Sequence, residues 1–332
     1  MSSLFQTVKE QSALASLGEV VAQVEEVLRK EARSPVESVQ GGTEQTLLAG
    51  GKRLRPSLAV LSARATGLTY DHVSLVHVAA ALEMVHMATL VHDDVIDGAD
   101  TRRGSRTASA IYGNTAAVLS GDVLLAKAMR LLADHSDIET IQMVSRAVVE
   151  MAEGEVRELE VRGDIGLSLE EHYQVLRMKT AAFIECCARV GAHHARAPRE
   201  LQDALGDYAH NLGLAFQVVD DLLDFRGDRA KTGKPTATDF RDGQATLPLI
   251  HLMPLLDESQ AEFVSEKFGN GVTDEDIEIV VGWMRSQGTF DAAQGEAERL
   301  AACAVRALDA LPPSADRDLL AAVAEFVVER EA

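Results

Sequence analysis

Aromatic residues make up only 4% of the 332-residue chain, with one Trp and four Tyr. Sheets draw heavily on aromatic and β-branched side chains. That scarcity, with Ala, Leu and Val dominant, argues for helices packed on helices. Cysteine is scarce too: the three are Cys186, Cys187 and Cys303, with no CxxC spacing. A disulfide framework and a cysteine-built zinc site are thereby excluded, and the adjacent pair reads as reduced thiols in a cytoplasmic protein. Positive charge is in short supply, 32 Lys and Arg against 52 Asp and Glu, for a formal charge of −20. Such a surface repels phosphate backbones, so no nucleic acid partner is expected. No apolar run reaches the ~18 residues of a membrane span. The N-terminal MSSLFQTVKEQ is polar, so no signal peptide is expected either.

What the chain does have is helical periodicity almost throughout. The spacing predicts helices over 3–31, about 36–48, from Pro56 to Gly67, and over 71–97, 114–134, 137–162, 168–191 and 198–225. The C-terminal third is again helical. Gly98 to Arg106 reads as a loop, and residues 226–243 (RGDRAKTGKPTATDFRDG) as the one long polar loop. Loops of that length in compact domains tend to be functional. No linker or low-complexity tract divides the sequence, so one all-α domain over 1–332 is the simplest organisation.

Two stretches break the apolar pattern in the same way: LVHDDVIDGADTRRG at 90–104 and QVVDDLLDFRGD at 217–228. Successive helical residues turn by ~100°, so Asp93 and Asp97 share a face, as do Asp220 and Asp224. His86 falls within ~20° of the first stripe, and Gln217 lies one turn before Asp220. Carboxylates in an apolar setting are costly, and neighbours one turn apart repel. A hard divalent cation answers both problems. Mg²⁺ takes one or two carboxylates and completes its shell with waters and phosphate oxygens. A calcium-binding EF-hand loop does not fit, because Val95 stands at its third position and no Glu closes it.

Basic groups accompany these acids. GGKRLRP at 50–56 sets Lys52, Arg53 and Arg55 at a Gly-rich turn before a helix, an arrangement that favours phosphate. Arg102 and Arg103 follow Asp97 closely enough to fold back over a bound anion. Lys179 and Thr180 interrupt the apolar run VLRMKTAAFIECC, and Lys231 and Lys234 lie in the long loop. Two acidic motifs account for one metal-bound diphosphate. The basic group at 52–55, with His86 and Arg103, exceeds what that anion needs and suggests a second diphosphate held by cations alone.

At these motifs the chain resembles the all-trans isoprenyl diphosphate synthases, or polyprenyl synthetases. The matching pieces are GGKRLRP, EMVHMATLVHDDVIDGADTRRG (83–104), MKT (178–180), FQVVDDLLDFRGD (216–228), GKP (233–235) and TLP (246–248). They occur in the family's order over roughly residues 40 to 250. The resemblance implies an isoprenoid-synthase helical bundle around a deep central cavity, usually as a homodimer. It implies two or three Mg²⁺ ions bridged by substrate diphosphate. Asp93, Asp97 and Asp220 would be the principal ligands, and Asp94, Asp221 and Asp224 would complete the sites. Lys52, Arg55, His86 and Arg103 would hold isopentenyl diphosphate. Arg102, Lys179, Thr180, Gln217 and Lys234 would contact the allylic diphosphate. Three positions depart from the pattern: Ala237 stands where GKPxG often has Gly, Ser109 where Asn or His is common, and Gln244 where Lys is common.

The implied reaction is head-to-tail 1′-4 condensation, in which a Mg²⁺-assisted allylic carbocation is captured by the double bond of isopentenyl diphosphate. In the family, bulky residues four and five positions before the first motif can floor the product pocket. Here these are Thr89 and Ala88, with Val85 further back, all free of aromatic bulk. Geranylgeranyl or longer polyprenyl products are therefore expected, with at most peripheral membrane contact for their release. A class I terpene cyclase needs only one diphosphate, which would leave GGKRLRP, His86 and Arg103 without a task. A non-catalytic prenyl-diphosphate-binding subunit would be expected to have lost aspartates.

Overall fold

Apolar residues at helical spacing and side-chain caps account for most of the architecture. The computed structural model describes residues 8–48, 50–226 and 236–330. By its internal contacts the chain forms two compact units built from interleaved segments. The first comprises residues through Val148, Cys186–Gly206 and Ala310–Leu320; the second comprises Val149–Glu185, Asp207–Asp309 and the residues from Ala321 on. Interleaving is why no linker or composition shift marks the units in sequence.

The first unit contains α1 (Val8–Glu31), α2 (Glu37–Leu48), α3 (Leu54–Ala65), α4 (His72–Ile96), α5 (Ala108–Tyr112), α6 (Asn114–His135) and the start of α7 (Ile138–Val161). Helix α4 is its centre and packs chiefly on α6, with α1 and α3 also against it. Asp71 caps its N-terminus by accepting the Ser74 N–H, satisfying one of the orphan donors there. Leu75, Val78, Ala79, Leu82 and Val85 are fully buried, as expected of a helix apolar on nearly all sides. Among the described residues, α4 is the one helix long and apolar enough to cross a membrane, yet 67% of its most apolar window is buried within the protein.

The loop after α4 is more ordered than its sequence suggests. Residues Thr101–Arg102 (β1) and Ser105–Arg106 (β2) pair antiparallel. Arg103 and Gly104 take φ of 51° and 79° in the turn, the two left-handed positions of a tight hairpin. Helix α5 likewise follows without a periodic run long enough to announce it.

The second unit holds the rest of α7, then α8 (Leu169–Leu176) and the opening of α9 (Ala182–His194). It continues through the later part of α10 (Arg199–Arg226), α11 (Thr238–Asp242), α12 (Leu247–Leu252), α13 (Glu258–Lys267), α14 (Asp274–Ser286) and α15 (Thr289–Ala307), ending with the last turns of α16 (Ala315–Val328). Reciprocal capping boxes start α8 (Ser168 with Glu171), α13 (Asp257 with Gln260) and α14 (Thr273 with Asp276), each satisfying two orphan donors. Helix α12 packs on α15, α14 and α8.

The helix predicted over 168–191 is broken. Residues Arg177–Ala181 form a π-turn, a wide turn that often marks functional sites. Its extra backbone fits because glycine faces it from two helices. A Cβ on Gly154 of α7 would lie 2.7 Å from both the Lys179 nitrogen and the Met178 Cβ; one on Gly213 of α10 would lie 2.8 Å from the Ala181 Cα. Close-packed interiors do not absorb overlaps of that size cheaply.

Candidate active site

In the first unit the C-terminal turn of α4 carries Asp93, Asp94 and Asp97. Asp97 terminates the helix, its N–H donating to the Asp93 carbonyl at 2.8 Å. Asp94 is buried, and Arg102 Nε donates to its Oδ1 at 2.7 Å. Burial raises the Asp94 pKa even against that arginine, since low dielectric disfavours the charged form. The hairpin turn brings the Arg103 guanidinium to the Gly50 carbonyl. Gly50, Asp94, Arg102 and Arg103 line one recess with Leu90 and Arg106.

The basic group at 52–55 divides into different tasks. Arg53, 7% exposed, takes φ of 50° just before α3 and ion-pairs with Glu25 at 2.5 Å and Glu83 at 2.9 Å. Burial opposes its charge, but the hydrogen bonds to Glu25 and Glu83 outweigh it and raise its pKa. It is thus a structural ion pair between helices of this unit. Arg55 is set deep enough that burial lowers its pKa, while Lys52 is exposed. His86 lies where burial, then Arg55, Arg103, Arg102 and Arg53, drive its pKa well below the ordinary histidine value. Its imidazole is neutral at pH 7 and sits in a field that attracts anions. Val85 and Ala88 are buried in α4, and Thr89 donates its hydroxyl to the His86 carbonyl at 2.8 Å.

In the second unit a cleft of about 310 Å³ gathers Lys179, Gln217, Asp220, Asp221, Asp224 and Asp239. Lys179 Nζ reaches Glu155 at 3.0 Å and also pairs with Glu158. Burial opposes its charge, but Glu158 and Glu155 more than compensate and hold its pKa above the usual lysine value. Pairing with these two carboxylates is how the lysine is accommodated in an otherwise apolar run. Thr180 follows it in the π-turn. Asp224 accepts the N–H groups of Thr238 and Asp239 through its two oxygens, each at 3.0 Å, and its carbonyl accepts the Ala237 N–H at 2.8 Å. Ala237 adopts φ of 53° and is fully buried. A left-handed alanine costs about 1 kcal/mol, the physical reason for the glycine common there in the resembling family.

Sequence reasoning overlooked three participants. Asp239 gave no signal beyond its place in a polar loop. In the structure its pKa is pushed up to about 8, by burial first and then by Asp224, Asp221 and Glu158. Arg330, next to the chain's end, pairs with Asp220 at 3.2 Å and lies 4.7 Å over the Phe216 ring. His172, read only as part of a helix, contacts Asp221 at 3.1 Å. Lys231 and Lys234 lie outside the described residues.

The excess of carboxylates in this cleft fits a hard cation. Burial and mutual repulsion raise Asp224 and Asp239, a strain that a divalent ion relieves. Among the described residues no three acidic, imidazole or thiol groups close on one point.

Residues 37–282 match the Polyprenyl synthetase family. The octaprenyl diphosphate synthase of Escherichia coli (strain K12) is 37% identical over 282 residues, 85% of this chain and 87% of that protein. A decaprenyl diphosphate synthase from Rhodobacter capsulatus superposes with a TM-score of 0.91 at 35% identity, covering 97% of this chain and all of that one. A polyprenyl synthase from Caulobacter crescentus, complexed with calcium and isoprenyl diphosphate, gives 0.90 at 35% identity over 99% of both chains.

Proposed function

Because the chain belongs to the polyprenyl synthetase family and is a trans-isoprenyl diphosphate synthase, we propose that it extends an allylic diphosphate with isopentenyl diphosphate to a product longer than farnesyl, using Mg²⁺. One observation carries the reading. The chain holds an acidic cleft with a charged lysine in one unit and, in the other, an arginine cluster about a neutral histidine. The acidic motifs suit a diphosphate brought with metal, the arginine cluster a diphosphate held by cations alone. A terpene cyclase has use for only one of them.

Asp93 and Asp97 of the first motif and Asp220 of the second would each hold Mg²⁺, which when bound supplies the positive charge that neutralises a leaving diphosphate. The protein's own part follows from its charges. Lys179 stays protonated between Glu155 and Glu158 and offers a fixed ammonium to the departing pyrophosphate. Arg55, Arg103 and Lys52 hold isopentenyl diphosphate, and His86, neutral, donates one hydrogen bond to it. As the allylic C–O bond breaks, the isopentenyl double bond forms the new C–C bond. The proton lost from the adjacent carbon passes to pyrophosphate. Incubation with isopentenyl diphosphate, an allylic primer and Mg²⁺, followed by chromatography of the dephosphorylated lipids, is expected to yield prenols longer than farnesol. Turnover of the primer alone to a hydrocarbon would overturn the reading in favour of a cyclase.

The relatives named octaprenyl and decaprenyl diphosphate synthases support a long product, as do the small side chains Ala88 and Thr89. Replacing Ala88, buried to 2% on α4, with Phe is expected to shift the product spectrum toward shorter prenols. An unchanged spectrum rejects α4 as the pocket wall.

We also propose that the chain works as a homodimer. Within the first unit, Ile111 and Tyr112 on α5 and Val118 and Leu119 on α6 are exposed, Leu119 by 52%, a concentration of apolar surface that favours a protein partner. Sedimentation at micromolar concentration is expected to give twice the mass of the chain; a monomer mass would remove this part of the proposal.

A further inference from the structure

The two adjacent acids of the second motif do not share one task. Asp220, Asp221 and Asp224 all border the cleft from α10. Asp221 is turned ~100° from Asp220 by the helix itself. With Asp220 and Asp224 toward the cleft's opening, Asp221 is left at its buried wall, beside His172. It is only 5% exposed, and its Oδ2 takes two donors from the unit's interior. His172 Nε2 on α8 stands at 3.1 Å, and the backbone N–H of Leu247, the first residue of α12, at 3.3 Å. His172 is itself 4% exposed. A carboxylate acts here as an acceptor, so the imidazole Nε2–H donates. One oxygen thus ties α8, α10 and α12 together.

We infer that His172 is the positioning residue of the second acidic motif, acting through Asp221, and that Asp221 is the motif's buried anchor and not a magnesium ligand. This rests on the functional reading above. Without the imidazole donor, one of the two described donors, the Leu247 N–H, remains for a carboxylate that lies inside the protein. A buried acceptor short of partners costs about 1–3 kcal/mol. It escapes that cost by admitting water or by rotating away from the α12 backbone. Either movement turns α10 and displaces Asp220 and Asp224 relative to Lys179. Small misplacements of reacting groups carry large penalties, and here the penalty falls on metal binding before it falls on chemistry.

The test compares His172→Phe, which keeps ring volume without a donor, with His172→Gln, which keeps a donor at similar reach. Two readouts are taken: the Mg²⁺ concentration for half-maximal turnover, and the rise in melting temperature on adding Mg²⁺ with inorganic pyrophosphate, which needs no turnover. For His172→Phe we expect roughly 5–30-fold more Mg²⁺ to be required, the conversion of ~1–2 kcal/mol, and a smaller melting-temperature rise. His172→Gln is expected to restore most of both, with kcat at saturating Mg²⁺ changing less than the Mg²⁺ requirement. Wild-type values of both readouts in His172→Phe would overturn the inference. Should that variant fail to fold, His172→Gln against the shorter His172→Asn decides it: a Mg²⁺ requirement lower for Gln supports the tie, and equal requirements overturn it. A wild-type chain with no Mg²⁺-dependent turnover would instead overturn the functional reading itself.

Discussion

Asp220→Asn is expected to lower kcat/KM by about 10²–10³-fold, the scale on which losing one preorganised stabiliser of developing charge is felt. The protein should nonetheless remain folded. The Asp220 side chain is 39% exposed and its pair with Arg330 is at the cleft's edge, and exposed pairs contribute little. Its melting temperature is therefore expected to stay within about 2 °C of the wild type. Steady-state kinetics at several Mg²⁺ concentrations, beside a thermal melt, check both halves. Near-normal turnover would mean that Asp220 serves Arg330 and not a metal. The neighbouring residue gives the contrast. Asp221→Ala removes the oxygen on which two interior donors converge and leaves the His172 Nε2–H and the Leu247 N–H without that acceptor. There the loss should include stability.

The difference between these adjacent aspartates shows how much of the site could be read in the sequence. Helical spacing placed Asp93 with Asp97 and Asp220 with Asp224, and the structure keeps the first pair at the C-terminal end of α4, with Asp97 as its cap, and the second on α10. The 100° step from Asp220 to Asp221 sets the second acid at the cleft's buried wall, so its deeper place was implicit in the pattern. Its partners were not: His172 lies 49 residues away and Leu247 26, and single-sequence periodicity carries no such pairing. Asp239 and Arg330 escaped for the same reason. The π-turn at Arg177–Ala181 escaped because it depends on Gly154 and Gly213 from other helices. The hairpin at Thr101–Arg106 was hidden by its length, two residues a strand, too short for any alternation to show. Long helices with strong apolar stripes were legible to within a few residues, because burial of one element against many neighbours leaves its period in the sequence.

A second large effect is expected at the other diphosphate. Arg55→Met keeps an unbranched, apolar stem of similar length and removes the guanidinium. A hydrogen bond to a charged group contributes about 1.5–3 kcal/mol, so the KM for isopentenyl diphosphate should rise roughly 10–150-fold. The KM for the allylic substrate should move little, because Lys179, Glu155 and Glu158 belong to the other cleft. The same variant has a spectroscopic signature. After burial, Arg55 is the largest of the causes that depress the His86 pKa. Removing it should let that pKa climb back toward the ordinary histidine value, which imidazole proton resonances followed against pH will report. The sign for stability follows. A histidine with a lowered folded-state pKa leaves the native state short of protons, relative to the unfolded chain, below about pH 6.5. Wild-type stability due to this group is complete above that pH and falls as the solution is acidified. In Arg55→Met the fall should be shallower and begin at a similar pH. A selective rise in the isopentenyl KM together with an upward His86 titration would tie the arginine field to the second diphosphate. A rise in both substrate constants with an unmoved histidine would place Arg55 outside it.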